Sequence, residues 1–190
     1  MVHLNTTDEL MEIISPTTIA DRVSELGAKI TNDYHDRPLI LIGILKGAFI
    51  FMADLARCIK LPLKIDFVRL SSYGSKTESS GGITFSKDIE LDIKGLDVLV
   101  VEDIIDTGYT INYLKEVLKL HEPASVGICC LIDKKDRRKV PVEADYIGFD
   151  ISHGFLVGYG LDFDEQYRYL PGIYHLNPGY KPAGFKPSER

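Results

Sequence analysis

The sequence predicts an α/β fold in which a central, mostly parallel β-sheet is flanked by helices. Three observations carry that prediction. The nearly continuous apolar runs Leu39–Leu45, Leu96–Val101 and Val126–Ile132 have strand length and the pattern of strands buried on both faces. Between such runs, apolar residues recur at three- and four-residue spacing, the period of a one-sided helix. The chain has 190 residues, 45% of them hydrophobic and 26% charged, enough to build a core in one domain of ordinary size. Strands that alternate with helices form parallel sheets whose ligands sit beyond the strands' carboxyl ends.

Taken in order, Ser15-Pro16 opens a helix with proline at its first position, and Ile19, Val23, Leu26, Ile30 and Tyr34 line one face of it. Arg37-Pro38 ends that helix, and the strand Leu39–Leu45 follows. Ala48–Arg57 reads as a second helix and Leu63–Leu70 as a second strand. Leu96–Val101 is a third strand, ending where acidic residues begin. Thr110–Leu120 is amphipathic through Ile111, Leu114 and Leu118, and Val126–Ile132 is a further buried strand. Two stretches fall outside the pattern. Ser71–Gly82 has five serines and three glycines and reads as a long mobile loop. Pro171–Arg190 holds four of the nine prolines and reads as a poorly structured tail. No repeat or second core is evident, so a single domain over residues 1–190 is expected.

Several classes are excluded. No apolar run approaches the roughly 20 residues of a membrane span. The first residues carry acids where a signal peptide needs a basic start and an apolar stretch, so no export is expected, and the location is expected to be cytoplasmic. Three cysteines, Cys58, Cys129 and Cys130, form no disulfide framework and suit a reducing compartment. A net charge of −6 disfavours broad nucleic-acid binding but allows a local anion site. Neither G-x-G-x-x-G nor G-x-x-x-x-G-K-[ST] is present, so a dinucleotide-binding or P-loop reading lacks support. The five histidines show no metal-ligand spacing.

The chemistry concentrates in Val98–Thr110. A buried strand delivers Glu102 and Asp103, then Asp106, into the turn Asp106-Thr107-Gly108-Tyr109-Thr110 just before a helix. Backbone N–H groups at a helix start, two hydroxyls and a glycine make a phosphate cradle. The adjacent acids oppose a phosphate unless they face sugar hydroxyls or a divalent cation. A simple helix cap by Asp106 or Thr107 accounts for one of these residues and not for the set.

This thirteen-residue pattern resembles the 5-phosphoribosyl-1-pyrophosphate (PRPP) signature of type I phosphoribosyltransferases. Leu45-Lys46-Gly47-Ala48, Arg69 with Ser72-Tyr73, Leu131-Ile132-Asp133-Lys134 and Phe155-Leu156-Val157-Gly158-Tyr159-Gly160-Leu161-Asp162 extend the resemblance to the hypoxanthine–guanine branch, over roughly residues 10 to 176. The departures are Ala48, where a second glycine is frequent, and Tyr109, where some members carry lysine.

The resemblance implies a small hood over the active site, a mobile lid at 71–82, and transfer of phosphoribosyl from PRPP to N9 of hypoxanthine or guanine. It implies that Glu102 and Asp103 hold the ribose hydroxyls and their Mg²⁺, that Asp106–Thr110 hold the 5′-phosphate, and that Asp162 ligates a second Mg²⁺. Asp106 is implied as the base for the purine N7 proton. Lys46, Gly47, Ser72, Tyr73 and Arg168 are implied on the pyrophosphate, with a Leu45–Lys46 peptide that can be cis. Lys134 is implied on the purine O6, Phe155 stacked on the base, and the carbonyls of Leu156 and Asp162 on the guanine amino group. Lys135, Arg137 and Lys139 read as a solvated face. A homodimer or homotetramer with no nucleic-acid or membrane partner is implied. The competing expectations are a xanthine-preferring transferase, which needs a polar contact where Leu156 and Leu161 stand, and a PRPP-sensing nucleic-acid-binding regulator, which needs a basic stripe.

Overall fold

The structure is a computed structural model that describes residues 10–73 and 82–177, with the backbone alone at 71–73 and 82–84. Its strands are β1 (Leu10–Ile14), β2 (Leu39–Leu45), β3 (Leu63–Tyr73), β4 (Gly82–Lys87), β5 (Asp97–Ile105), β6 (Ser125–Asp133), β7 (Tyr146–Asp150), β8 (Leu156–Val157) and β9 (Ile173–Leu176); its helices are α1 (Pro16–Asp33), α2 (Phe49–Cys58) and α3 (Tyr109–Lys119). Six strands form the main sheet in the order β4-β3-β2-β5-β6-β7, parallel throughout except where β4 runs against β3.

Period-two alternation divides the core between the two faces. Leu39, Leu41, Leu99, Val101, Cys129 and Leu131 pack under α1 and α2, and Ile40, Ile42, Val98, Val100, Ile128 and Cys130 pack under α3. The helix starts agree with their sequence signals: Ser15 Oγ accepts from the Thr18 N–H at 3.1 Å, with Pro16 beside it. The chain leaves β2 toward β3 on one side, and β5 lies against the other side. That reversal makes a switch point between β2 and β5, where open α/β sheets place their ligands. A second, antiparallel sheet, β1-β9-β8, has a small cluster of its own around Val157, Tyr167, Leu170 and Tyr174. This is the hood. Tyr159 Oη ties it to the main layer by donating to Asp54 Oδ2 on α2 at 2.6 Å.

Three expectations need correction. β5 does not stop at Val101; it runs through Glu102 and Asp103 to Ile105, paired with β6 throughout. β3 extends to Tyr73 and pairs with β4 from Gly82, so both ends of the expected 71–82 loop are strand, while 74–81 lie outside the described residues. The expected tail contains β9, whose Ile173 is fully buried because β9 pairs with both β1 and β8; 178–190 lie outside the described residues. The short strands β1, β7 and β8 carry too few residues to show a period. Among the described residues no helix is long and apolar enough to cross a membrane.

Asp66 on β3 anchors the segment after β4. Its carboxylate accepts from the N–H groups of Phe67, Glu90 and Leu91 at 2.7, 2.6 and 3.0 Å and from the Lys87 ammonium at 3.2 Å. Burial alone would raise its pKa, but these donors outweigh it and hold the group below the usual carboxylate value. A depressed folded-state pKa adds stability that is present above the unfolded value, about 3.9, and is lost as pH falls through the folded one. Asp66→Asn is therefore expected to cost on the order of 2 kcal/mol at pH 7, about 4–8 °C in Tm. The difference from wild type should shrink below about pH 4, as calorimetry across pH 2–8 will measure.

Candidate active site

The carboxyl ends of β2 and β5 meet at the switch point. β2 runs into Leu45-Lys46, joined by a cis peptide bond. Gly47 follows, and β5 leaves it no room for a side chain: a Cβ there would stand 1.6 Å from Asp103 Oδ2. Any other residue would displace that carboxylate.

β5 brings Glu102 and Asp103 together, the first buried and the second partly so. Burial pushes the Glu102 carboxyl well above its ordinary value, and the adjacent Asp103 charge adds to the shift. Burial also raises Asp103, against a hydrogen bond from Glu102, another from the Ile104 N–H, and the Arg168 guanidinium. Both carboxyls are thus raised, Glu102 more than Asp103.

Beyond Ile105 the chain turns through Asp106 and Thr107 to Gly108, which begins α3 at φ 88°, a left-handed conformation that glycine adopts without strain. No side chain caps α3, so the helix-cap reading of Asp106 or Thr107 does not hold, and the first-turn N–H groups face outward for an anion. A cavity of about 90 Å³ opens there, lined by Glu102, Asp106, Thr107, Gly108 and Thr110. Tyr109 is 55% exposed and does not line it. Asp106 Oδ1 is buried and has no hydrogen-bond partner among the described residues. Its Oδ2 lies 3.1 Å from Arg137, so Arg137, exposed as expected, is nevertheless paired.

Lys134 stands just past β6 and is 6% exposed. Its N–H donates to Ile105 O at 2.9 Å, and Nζ uses one of its three donors on Gly154 O at 2.8 Å. Beside it Phe155 is half exposed and meets Phe163 edge-on at 5.4 Å between centroids, which argues against a core role. Leu156 is buried on β8.

The hood supplies the remaining charges. Arg168 reaches Asp162 Oδ1 at 2.8 Å, Glu165 at 3.3 Å and Gly160 O at 2.8 Å; Asp162 Oδ2 accepts from the Glu165 N–H. Lys46 Nζ pairs with Glu165 at 2.9 Å. Glu165 went unnoticed in the sequence, where an exposed acid three residues after Asp162 carries no signal of its own. Ser72 and Tyr73 lie on β3 opposite Ile83 and Gly82, with side chains outside the described residues. Among the described residues no three His, Cys, Asp or Glu side chains converge as a metal cage. A larger cavity of about 630 Å³ lies at the opposite end of the strands, lined by residues such as Pro38, Leu61 and Leu96, and none of the expected site residues borders it.

Residues 12–164 match the phosphoribosyl transferase domain family. The chain is 48% identical over 168 residues to the hypoxanthine-guanine phosphoribosyltransferase of Dictyostelium discoideum, covering 86% of this chain and 93% of that protein. It is 45% identical over 166 residues to the enzyme of the same name from Bacillus subtilis, covering 87% and 92%. A solved hypoxanthine phosphoribosyltransferase from Staphylococcus aureus superposes with a TM-score of 0.86 at 43% identity, covering 90% and 93%.

The raised Glu102 carboxyl has a measurable consequence. A folded state that binds the proton more tightly than the unfolded chain loses stability as pH rises from the unfolded glutamate value, about 4.3, through the folded value. Glu102→Gln removes that loss. The free variant is expected to melt about 2–4 °C higher at pH 7–8 for each kcal/mol recovered and to converge on wild type near pH 4. A lower melting temperature across the whole range would contradict the buried-charge account.

Proposed function

The chain belongs to the phosphoribosyltransferase family, and on that premise we propose that it transfers the 5-phosphoribosyl group of PRPP to N9 of hypoxanthine or guanine, releasing pyrophosphate and forming IMP or GMP. The observation that carries this reading is one site at the switch point where an uncapped helix start adjoins a buried acid pair, and where the next strand over presents a buried ammonium beside an exposed phenylalanine.

In this reading the Asp106–Thr110 turn binds the 5′-phosphate through backbone N–H groups and the hydroxyls of Thr107 and Thr110. Asp103 and Glu102 accept from the ribose hydroxyls. Lys46, Gly47, Ser72, Tyr73 and Arg168 hold the pyrophosphate as it leaves, while the ribose carbon takes on oxocarbenium-like charge. Asp106 takes the N7 proton of the incoming purine; its Oδ1 is buried and has no donor among the described residues. Lys134 donates to the purine O6. Adenine offers an amino donor at that position, and an ammonium has no acceptor to receive it. Phe155 supplies a stacking face, and the carbonyls of Leu156 and Asp162 accept from the guanine amino group. Leu156 and Leu161 are buried and apolar, which favours hypoxanthine and guanine over xanthine.

The donor set fits Mg²⁺. Glu102 and Asp103 on β5 and Asp162 in the hood are oxygen ligands, and this ion commonly takes one or two carboxylates together with substrate phosphates and water. When bound it would neutralise the departing pyrophosphate. A homodimer or homotetramer in the cytoplasm completes the proposal, in keeping with the three free cysteines.

Steady-state assays with PRPP, Mg²⁺ and each of hypoxanthine, guanine, xanthine and adenine test it. IMP and GMP are the expected products, and adenylate alone would overturn the assignment. Asp106→Asn is expected to lower kcat by about 10²–10⁴ with little change in PRPP affinity, and to abolish the acidic limb of the kcat–pH profile. A small rate loss with that limb intact would remove Asp106 from the base role.

A further inference from the structure

We propose that Arg138 is a positioning residue that orients the phosphate turn from behind, an inference that rests on the phosphoribosyl-transfer reading. Arg138 lies in a run of charges, yet its side chain is only 16% exposed. All three guanidinium nitrogens are engaged. Nε donates to Asp106 O at 3.1 Å and Nη2 to Ile105 O at 3.4 Å. Nη2 also pairs with the buried Asp133 carboxylate, and Nη1 donates to Val142 O. The strap that follows continues the grip: the N–H groups of Lys139 and Val140 donate to Thr107 O at 2.9 and 3.2 Å. A Cβ on Gly108 would stand 3.0 Å from both Arg138 Cδ and Val140 O.

Peptide planarity turns this grip into an orientation. In a trans peptide the C=O and the following N–H point in opposite directions, and the bonds joining residues 105 to 108 are trans. The carbonyls of Ile105, Asp106 and Thr107 all point back to Arg138 and its strap. The N–H groups of Asp106, Thr107 and Gly108 therefore point the other way. Successive N–H groups aimed at one side make a concavity suited to an anion, and the 90 Å³ cavity lined by these three residues lies in that turn. Ile105 O is also shared between Arg138 and the Lys134 N–H, so the same clamp sets the turn relative to Lys134. A lysine at 138 could retain the ion pair with Asp133, but as a point charge it could not hold carbonyls in several directions at once.

The test compares Arg138→Met, Arg138→Lys and the double variant Asp133→Asn/Arg138→Met with wild type. The double variant removes the stranded buried carboxylate that could by itself unfold the single one. Three readouts are needed: the melting temperature, KM for PRPP and for hypoxanthine alongside kcat, and amide chemical shifts of Thr107 and Gly108 during titration with inorganic phosphate. The folded double variant is expected to show KM for PRPP and the phosphate Kd raised about tenfold or more, with KM for hypoxanthine much less affected. Arg138→Lys should recover melting temperature but not phosphate affinity. A folded double variant with wild-type PRPP KM and wild-type amide shifts would overturn the proposal, as would a lysine variant that restores phosphate binding in full. Should wild type fail to use PRPP at all, the transfer reading falls, while the phosphate titration still decides the role of Arg138.

Discussion

Two carboxylates set side by side on a strand inside the main sheet lose hydration and repel each other, and the surroundings of β5 are arranged around that cost. Desolvation raises Glu102 and Asp103 together, which is unfavourable for the free protein. The relief comes from elsewhere in the chain. Gly47, having no side chain, leaves Asp103 its space, and Arg168 in the hood adds a compensating charge. Docking of the hood thus eases the burial of Asp103. The hood's attachment is specific: Tyr159 donates to Asp54, and Gly160 packs so closely on Gly47 that a Cβ would stand 2.1 Å from its carbonyl oxygen. The Lys46-Gly47 loop, the acid pair and the Asp162 loop are held as one unit by this contact.

A second constraint is the register of β5 with β6. Ile105 pairs with Asp133, and neighbouring strands lie about 4.8 Å apart. The turn that follows Ile105 and the lysine that follows Asp133 are thus set at a spacing fixed by sheet geometry instead of by flexible loops. Reacting groups placed on rigid elements keep the orientation that catalysis needs. In the proposed transfer, selectivity would follow from the same rigidity, since a buried ammonium that cannot retreat from a donor in the wrong place discriminates more strongly than a mobile one.

Much of this was legible in the sequence where the signal is local. Leu39–Leu45 reads as a buried strand and is β2, residue for residue, because burial on both faces leaves an unbroken apolar run. Ser15-Pro16 marks the start of α1 for equally local reasons. Glu102 and Asp103 were legible as chemistry but not as strand, because charge is ordinarily the mark of a strand's end. Here the β6 ladder, a long-range pairing, holds them in the sheet. β9 was hidden by averaging: Pro171, Gly172 and Pro178 flank a short alternating segment whose burial depends on β1 at the far end of the chain. Arg138 was hidden among Lys135, Arg137 and Lys139. One member of a basic run can be buried while its neighbours stay solvated, and only contacts with residues 105, 106 and 142 distinguish it.

The electrostatics also show why net charge is a poor guide to a local site. The chain carries −6 overall, yet Lys46, Lys134, Arg137 and Arg168 border the cleft. Screening confines most exposed charges to about 8 Å at physiological ionic strength, so the surface acids away from the cleft matter little within it. Closer in, the cations are already engaged: Lys46 with Glu165, Arg168 with Asp162 and Glu165, and Arg137 with Asp106. A polyanionic substrate would exchange partners at these positions instead of meeting bare charge. The net gain is the difference between two sets of ion pairs, smaller than a count of contacts implies. What the acids provide in return is preorganisation, since a guanidinium already held by Glu165 and Asp162 has less rotamer freedom left to lose when an anion binds. Glu165 is the most exposed acid in this group and gives up the least stabilisation on release, because pairs in water are worth little. It is the partner best placed to yield its cations to a polyanion, while Asp162 is more buried and held in position by a backbone N–H.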